Sequence, residues 1–208
     1  MSVTANRISN LLLPFLEDRA IDRKQIELLR TYLELLLKWN SKMNLTAVRD
    51  PEEIVVRHFG ESLFAARHLF PELVAASVVD IGSGAGFPGI PIKIWDDKVD
   101  LTLIESNQKK ATFLREVART LDLDQVSIQS TRAETTSAMA SVVTLRAVEH
   151  FADILPTARQ LMHQQGRLAL LIGEGQLQTA KSQLSNLSWQ EPLRIPLSNS
   201  RVLLIGNS

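Results

Sequence analysis

The chain has 208 residues, 45% of them hydrophobic and 22% charged, which is enough to bury a sizeable core and unlike a disordered composition. Its 23 Lys and Arg balance 23 Asp and Glu, and the balance holds on both sides of residue 75, so any nucleic acid must be met by a local patch rather than a basic domain. With no Cys, and with His58, His68, His150 and His163 scattered, disulfides, cysteine nucleophiles and a resident metal are not expected.

The opening MSVTANRISN lacks the charged-then-apolar layout of a secretory leader. Apolar runs such as those at 11–13 and 35–37 are too short to cross a bilayer. A cytoplasmic protein without a membrane partner is expected. Up to about residue 75 the pattern is helical. Ile26, Leu29, Leu33, Leu36 and Leu37 fall at helix spacing, predicting a helix over 22–39 with one stripe on a core. Asp50-Pro51-Glu52-Glu53 predicts a helix start, with Asp as N-cap, Pro at the first helical position and carboxylates in the first turn. Gly60 and Pro71 then punctuate two short helices.

Past residue 75, β-rich runs alternate with helical ones. Strands are predicted at 77–81, 101–104, 126–129, 141–145 and 167–172. Helices are predicted near 108–121 and 151–162. Such alternation implies parallel βαβ units in an open, doubly wound α/β sheet. Two last runs, 193–195 and 201–205, are joined by Ser198-Asn199-Ser200 and predict an antiparallel hairpin at one edge. The expected organisation is a helical extension over 1–75 packed on a sheet domain over 76–208.

The loop Asp80-Ile81-Gly82-Ser83-Gly84-Ala85-Gly86-Phe87-Pro88-Gly89 leaves the first strand and opens a helix. Glycines allow positive φ and close approach to a ligand, and open α/β sheets bind ligands at this end of their strands. Gly84, Gly86 and Gly89 satisfy a dinucleotide fingerprint, with Glu105 about 20 residues on, so an NAD-dependent oxidoreductase is one reading. Asp80, Gly82, Gly84 and Gly86 also match the acid-plus-glycines loop of S-adenosylmethionine-dependent methyltransferases. The second reading is favoured. A pyrophosphate at a helix N-terminus gains nothing from an upstream acid, whereas a ligand carrying an ammonium and a sulfonium does. Glu105 serves the ribose of either ligand.

The chain resembles the bacterial small-subunit ribosomal RNA methyltransferase G family, also called glucose-inhibited division protein B. The likeness is carried by Leu37-Lys38-Trp39-Asn40 with Met43-Asn44-Leu45-Thr46, by Arg57-His58 with Glu61-Ser62-Leu63, and by DIGSGAGFPGIP from Asp80 to Pro91. Glu105-Ser106-Asn107-Gln108-Lys109-Lys110 with Phe113-Leu114, Arg132-Ala133-Glu134 and Leu145-Arg146-Ala147 extend it. The resemblance implies a seven-stranded, mostly parallel Rossmann-like sheet of class I methyltransferase type. It implies methyl transfer from S-adenosylmethionine to guanine N7 in 16S ribosomal RNA; because a base inside a helix or loop must be exposed to reach the site, partly assembled small-subunit particles are an expected substrate. Gly82 and Phe87 would line the cofactor, with Gly84 and Gly86 shaping the loop. Ala133 and Glu134 would meet the adenine, and Arg146 would stand between cofactor and base. Two departures are visible: Glu61 stands where the family has Asp, and Ile172-Gly173 where it has Lys-Gly.

A free lone pair at guanine N7 needs no general base, so no catalytic acid or base is assigned. Arg146 is expected to orient the base through its acceptor edge. Lys109, with Lys110, Arg115 and Arg119, and Lys38, Lys42, Arg49, Arg57 and His58 are the local candidates for RNA. His58 is also expected to join the extension to the sheet domain, and Trp39, Trp95 and Trp189 to anchor packing. A ribosome assembly factor retaining the pocket without activity, and a methyltransferase acting on protein or small molecules, remain as alternatives.

Overall fold

A computed structural model describes residues 3–17, 19–72 and 75–208; the boundary expected near residue 75 borders Leu73 and Val74, which lie outside this set. Five parallel strands build its centre: β1 (Ser77–Ile81), β2 (Asp100–Ile104), β3 (Val126–Gln129), β4 (Ala140–Arg146) and β5 (Met162–Gly173). The antiparallel strand β8 (Arg201–Asn207) pairs with β5, and the short β6 (Ser188–Trp189) and β7 (Leu193–Arg194) both pair with β8. The order is β3-β2-β1-β4-β5-β8-β6, with β7 further along the outer side of β8. Eight strands among the described residues therefore fill seven places. The expected hairpin forms, but its long strand lies inside the edge. The order reverses at β1 and β4, and this is where an open sheet leaves a crevice above its strand ends.

Period-two alternation sorts β1 onto two faces. Val79 and Ile81 join a cluster with Ile154, Leu155 and Ala158 of α7 (Phe151–Gln160) and Ala180 of α8 (Leu177–Gln183). Val78 faces the other way, into a cluster with α5 (Gly89–Trp95), α6 (Gln108–Thr120) and the N-terminal helices. Those are α1 (Ala5–Leu16), α2 (Arg23–Asn40), α3 (Pro51–Ile54) and α4 (Glu61–Leu69). The extension thus covers one face of the sheet and shares its core.

Local chemistry explains the helix starts. Asp22 caps α2 and exchanges hydrogen bonds with Gln25 in a capping box. Asp50 accepts from the Glu53 amide, with Pro51 in the first turn of α3. Asn107 accepts from the amides of Lys109 and Lys110 at the start of α6. Gly60 departs from expectation. It does not separate two helices: α3 runs through a π-helical turn over Val55–Gly60 straight into α4. A Cβ at Gly60 would lie 2.5 Å from the Phe15 ring, so the glycine lets α1 lie against this turn.

Candidate functional site

The glycine loop is held in place from three sides. Gly82, Gly84 and Gly86 have φ of 66°, 57° and 95°, a region that only glycine adopts freely. From below, Ser83 Oγ donates to the Asp80 carbonyl at 2.9 Å. From the β2 side, Glu105 accepts from the Gly84 amide at 2.9 Å and, with its other oxygen, from the Asn107 amide at 2.7 Å. From the extension, the buried Tyr32 hydroxyl donates to the Ala85 carbonyl. A Cβ on Gly86 would stand 2.5 Å from that hydroxyl oxygen, so Gly86 is a packing glycine. Tyr32, Phe87 and His58 form an aromatic column, with ring centroids 5.4 Å and 4.9 Å apart.

Two cavities open above the strand ends and share Gly82. One, of about 290 Å³, is walled by Ile81, Ile104, Ala133 and Ile154, with Glu134, Glu149 and Asp153 against Arg132. The other, of about 410 Å³, is walled by Thr46, His58, Phe87 and Ile172. Its charged lining is Arg57, Lys110, Arg146 and Arg201, with no carboxylate among the described residues. A chain of zero net charge has therefore separated its charge across one groove. The first lobe suits a ligand that is apolar in its plane and positive in charge, and the second suits a polyanion.

Arg146, at the end of β4, lies on the floor of the cationic lobe. Its Nη2 donates to the Arg57 carbonyl at 2.6 Å and reaches His58 Nδ1 and Glu61 Oε2, each at 3.0 Å. Among the described residues its Nε and Nη1 make no hydrogen bond, which leaves donors available to a ligand. Since Nδ1 of His58 faces a donor, it accepts, and the ring proton belongs on Nε2, 2.7 Å from Thr46 Oγ1. Burial and the neighbouring Arg146, Arg57 and Arg201 push the His58 pKa down to about 3, so the ring is neutral at physiological pH. Glu61 is 2% exposed in its side chain and bridges Arg146 to Arg201 through separate oxygens.

The residues expected from the sequence divide accordingly. Ala133 and Glu134 wall the first lobe. Gly82, Gly84, Phe87, His58 and Arg146 wall the second. Lys109, expected at the substrate, is exposed at the start of α6 and walls neither lobe; helical rotation gives that place to Lys110. Asp80 is fully buried and also walls neither. Its carboxylate accepts from Thr144 Oγ1 at 2.7 Å, while Oδ2 lies against the backbone of Gly89 and has no partner of good hydrogen-bond geometry among the described residues. The direct contact with a cation expected of Asp80 thus becomes a charge held just under the loop. Glu105 is spent in part on loop amides, with lone pairs remaining on both oxygens. Tyr32, Glu61 as a bridge, and Arg201 were not singled out as site residues. Their partners lie far off in sequence, 140 residues between Glu61 and Arg201, and no local pattern carries such pairing.

Residues 25–200 match the profile of the family described as rRNA small subunit methyltransferase G. A ribosomal RNA small subunit methyltransferase G of Xylella fastidiosa (strain M23) is 41% identical over 155 residues, 74% of this chain and 71% of its own length. One of the same name from Halorhodospira halophila is 41% identical over 162 residues, 76% of each chain. Among solved structures, a ribosomal protein L11 methylase from Lactobacillus delbrueckii subsp. bulgaricus superposes with a TM-score of 0.63 at 14% identity, over 74% of this chain and 80% of its own. An S-adenosylmethionine-dependent methyltransferase from Aquifex aeolicus gives 0.58 at 12% identity, over 76% and 93%. At those identities the structures speak for the fold alone.

Proposed function

The chain belongs to the rRNA small subunit methyltransferase G family, and from that premise we propose how its two-lobed groove performs methyl transfer to small-subunit ribosomal RNA. The enzyme uses S-adenosylmethionine and acts on N7 of a guanine in 16S RNA. The observation that carries the assignment of parts is the charge division about Gly82, acidic on one side and basic on the other.

The residues present fit the cofactor. Ile81, Ile104 and Ala133 offer apolar walls for an adenine, and Glu134 with the backbone after β3 offers polar groups to its edge. Glu105 keeps acceptor capacity for ribose hydroxyls. At Gly82 a Cβ would come within 3.3 Å of Val148, so glycine keeps the passage between the lobes open. Asp80, buried beneath the loop, would supply negative potential to the ammonium of a bound methionine end. When bound, the cofactor supplies an electrophilic methyl on a sulfonium.

The chain's own residues then have one task, orientation. Guanine N7 presents a lone pair, so no proton has to be removed beforehand. His58, neutral and engaged through both ring nitrogens, is not placed as a general base. Holding nucleophile and methyl in line can lower the barrier by roughly 7–11 kcal/mol in favourable cases. The two N–H groups on Nη2 of Arg146 are shared among three acceptors, which fixes the guanidinium, so its remaining N–H groups form a rigid donor edge toward O6 of the base. Phe87, stacked between Tyr32 and His58, adds a fixed apolar residue to the lining of the lobe. A base folded into ribosomal RNA must be exposed to enter, and this favours partly assembled small-subunit particles in the cytoplasm as the physiological substrate.

Titration calorimetry with S-adenosylhomocysteine and with NAD, followed by transfer from tritiated cofactor to small-subunit RNA and to particles, tests the assignment. Binding of the first ligand alone and label in RNA are expected. Binding of NAD alone would reinstate the oxidoreductase reading, and cofactor binding without transfer to any RNA would favour an assembly factor.

A further inference from the structure

We propose that Arg201 binds a backbone phosphate of the substrate RNA at the mouth of the cationic lobe, held in place for that contact by Glu61. The proposal rests on the RNA methyltransferase assignment and adds a contact to it. Arg201 opens β8 and pairs in register with Gly173, the last residue of β5, so the sheet itself fixes its height above the groove. Its Nε donates to Glu61 Oε1 at 2.8 Å, and Nη2 lies 2.6 Å from the same oxygen. Nη1 makes no hydrogen bond among the described residues. One edge of the guanidinium is thus committed to an almost fully buried carboxylate, and the rest faces a cavity that Arg201 helps to wall.

Exposure separates the two arginines that share Glu61. Arg146 has a side chain 11% exposed and lies on the floor, whereas Arg201 is 31% exposed and lies at the rim. A floor arginine meets the base; a rim arginine meets what stays outside, the sugar-phosphate chain. Arg57 is paired with Glu53, but Glu61 neutralises only one of Arg146 and Arg201, so with Lys110 beside them the mouth stays cationic. A guanidinium with one edge pinned loses little rotational freedom on binding, and its free N–H groups match a phosphate oxygen pair. Ile172, walling the same lobe, brings no charge, which leaves Arg201 as the cation on the β5–β8 side.

The test compares wild type, Arg201→Ala, Arg201→Gln and Arg201→Lys for affinity to a 16S RNA fragment by fluorescence anisotropy across a salt series. Calorimetry with S-adenosylhomocysteine reports the state of the first lobe in each variant. Arg201→Ala and Arg201→Gln are expected to weaken RNA binding about tenfold and to reduce the magnitude of the log-log salt slope by about one. Their affinity for S-adenosylhomocysteine should be unchanged. Arg201→Lys keeps the charge and should keep the salt slope, with weaker binding from the lost fork. RNA affinity and slope equal to wild type in Arg201→Gln, with cofactor-analogue binding intact, would overturn the proposal. A wild type that binds S-adenosylhomocysteine and no RNA would instead overturn the function on which it rests.

Discussion

Asp80 is the residue where the fold keeps an ionisable group under a ligand-binding loop. Burial raises its pKa to about 6 from an ordinary 3.8. The folded protein therefore holds a proton that the unfolded chain releases between those values, and stability from this group is full below about pH 4 and lost as pH rises through 6. The span corresponds to about 3 kcal/mol. Relative to wild type, Asp80→Asn should gain about that much unfolding free energy between pH 4 and pH 7, as urea titrations at the two pH values would show; a difference that does not change with pH would contradict the account. His58 gives the opposite sign. Its pKa is lowered to about 3, so its contribution is full above the unfolded value near 6.5 and falls away as the pH drops toward 3. Nitrogen-15 NMR should show a neutral Nε2–H tautomer from pH 5 to pH 8, and a titration near 6.5 would contradict the buried contact with Arg146. At this scale the sequence was legible where chemistry is local. The residues of the glycine loop and the acid ending β2 are visible as types at a spacing. Whether the Asp80 carboxylate points into the groove or beneath it depends on Thr144, on a neighbouring strand, and no spacing reveals that.

Among the elements, Gly60 and Tyr32 decide how the helices sit on the sheet. Alanine for glycine inside an exposed helix ordinarily stabilises by about 1 kcal/mol. At Gly60 the sign should reverse, because the added Cβ would lie 2.5 Å from the Phe15 ring. A loss of roughly 1–3 kcal/mol is expected, and thermal denaturation of Gly60→Ala checks it; unchanged or raised stability would mean that α1 yields easily. Tyr32→Phe strips the Ala85 carbonyl of its buried donor, for roughly 1–3 kcal/mol. Because that carbonyl belongs to the glycine loop, affinity for S-adenosylhomocysteine should fall as well. The helix over 22–39 was legible from its stripe, and its Asp22 cap and the Asp50-Pro51 start follow from backbone chemistry. The continuity of α3 into α4 was not, because a glycine that ends a helix and one that admits a neighbouring ring look alike until the ring is placed.

For the whole molecule, the shared hydrophobic cluster linking α1, α2 and α4 to α5, α6 and the sheet supports one cooperative unit rather than two. A single calorimetric unfolding transition is expected, and two separable transitions would contradict that unity. Zero net charge argues against a basic domain, yet it hid a lobe with four basic residues and no acid in its wall among the described residues. Composition averages over the surface, whereas the fold gathers Arg57, Lys110, Arg146 and Arg201 from four separate stretches of chain. Alternation of strands and helices made the sheet legible, and turn chemistry made its hairpin legible; the packing of β8 inside the edge required the pairing itself. Mass analysis of nucleosides from 16S RNA incubated with the enzyme and S-adenosylmethionine bears most directly on the groove's division of labour. 7-Methylguanosine is expected as the methylated product with wild type, and its loss with Arg146→Ala while S-adenosylhomocysteine still binds. Methyl groups on another atom or another nucleotide, or an undiminished yield from Arg146→Ala, would contradict it.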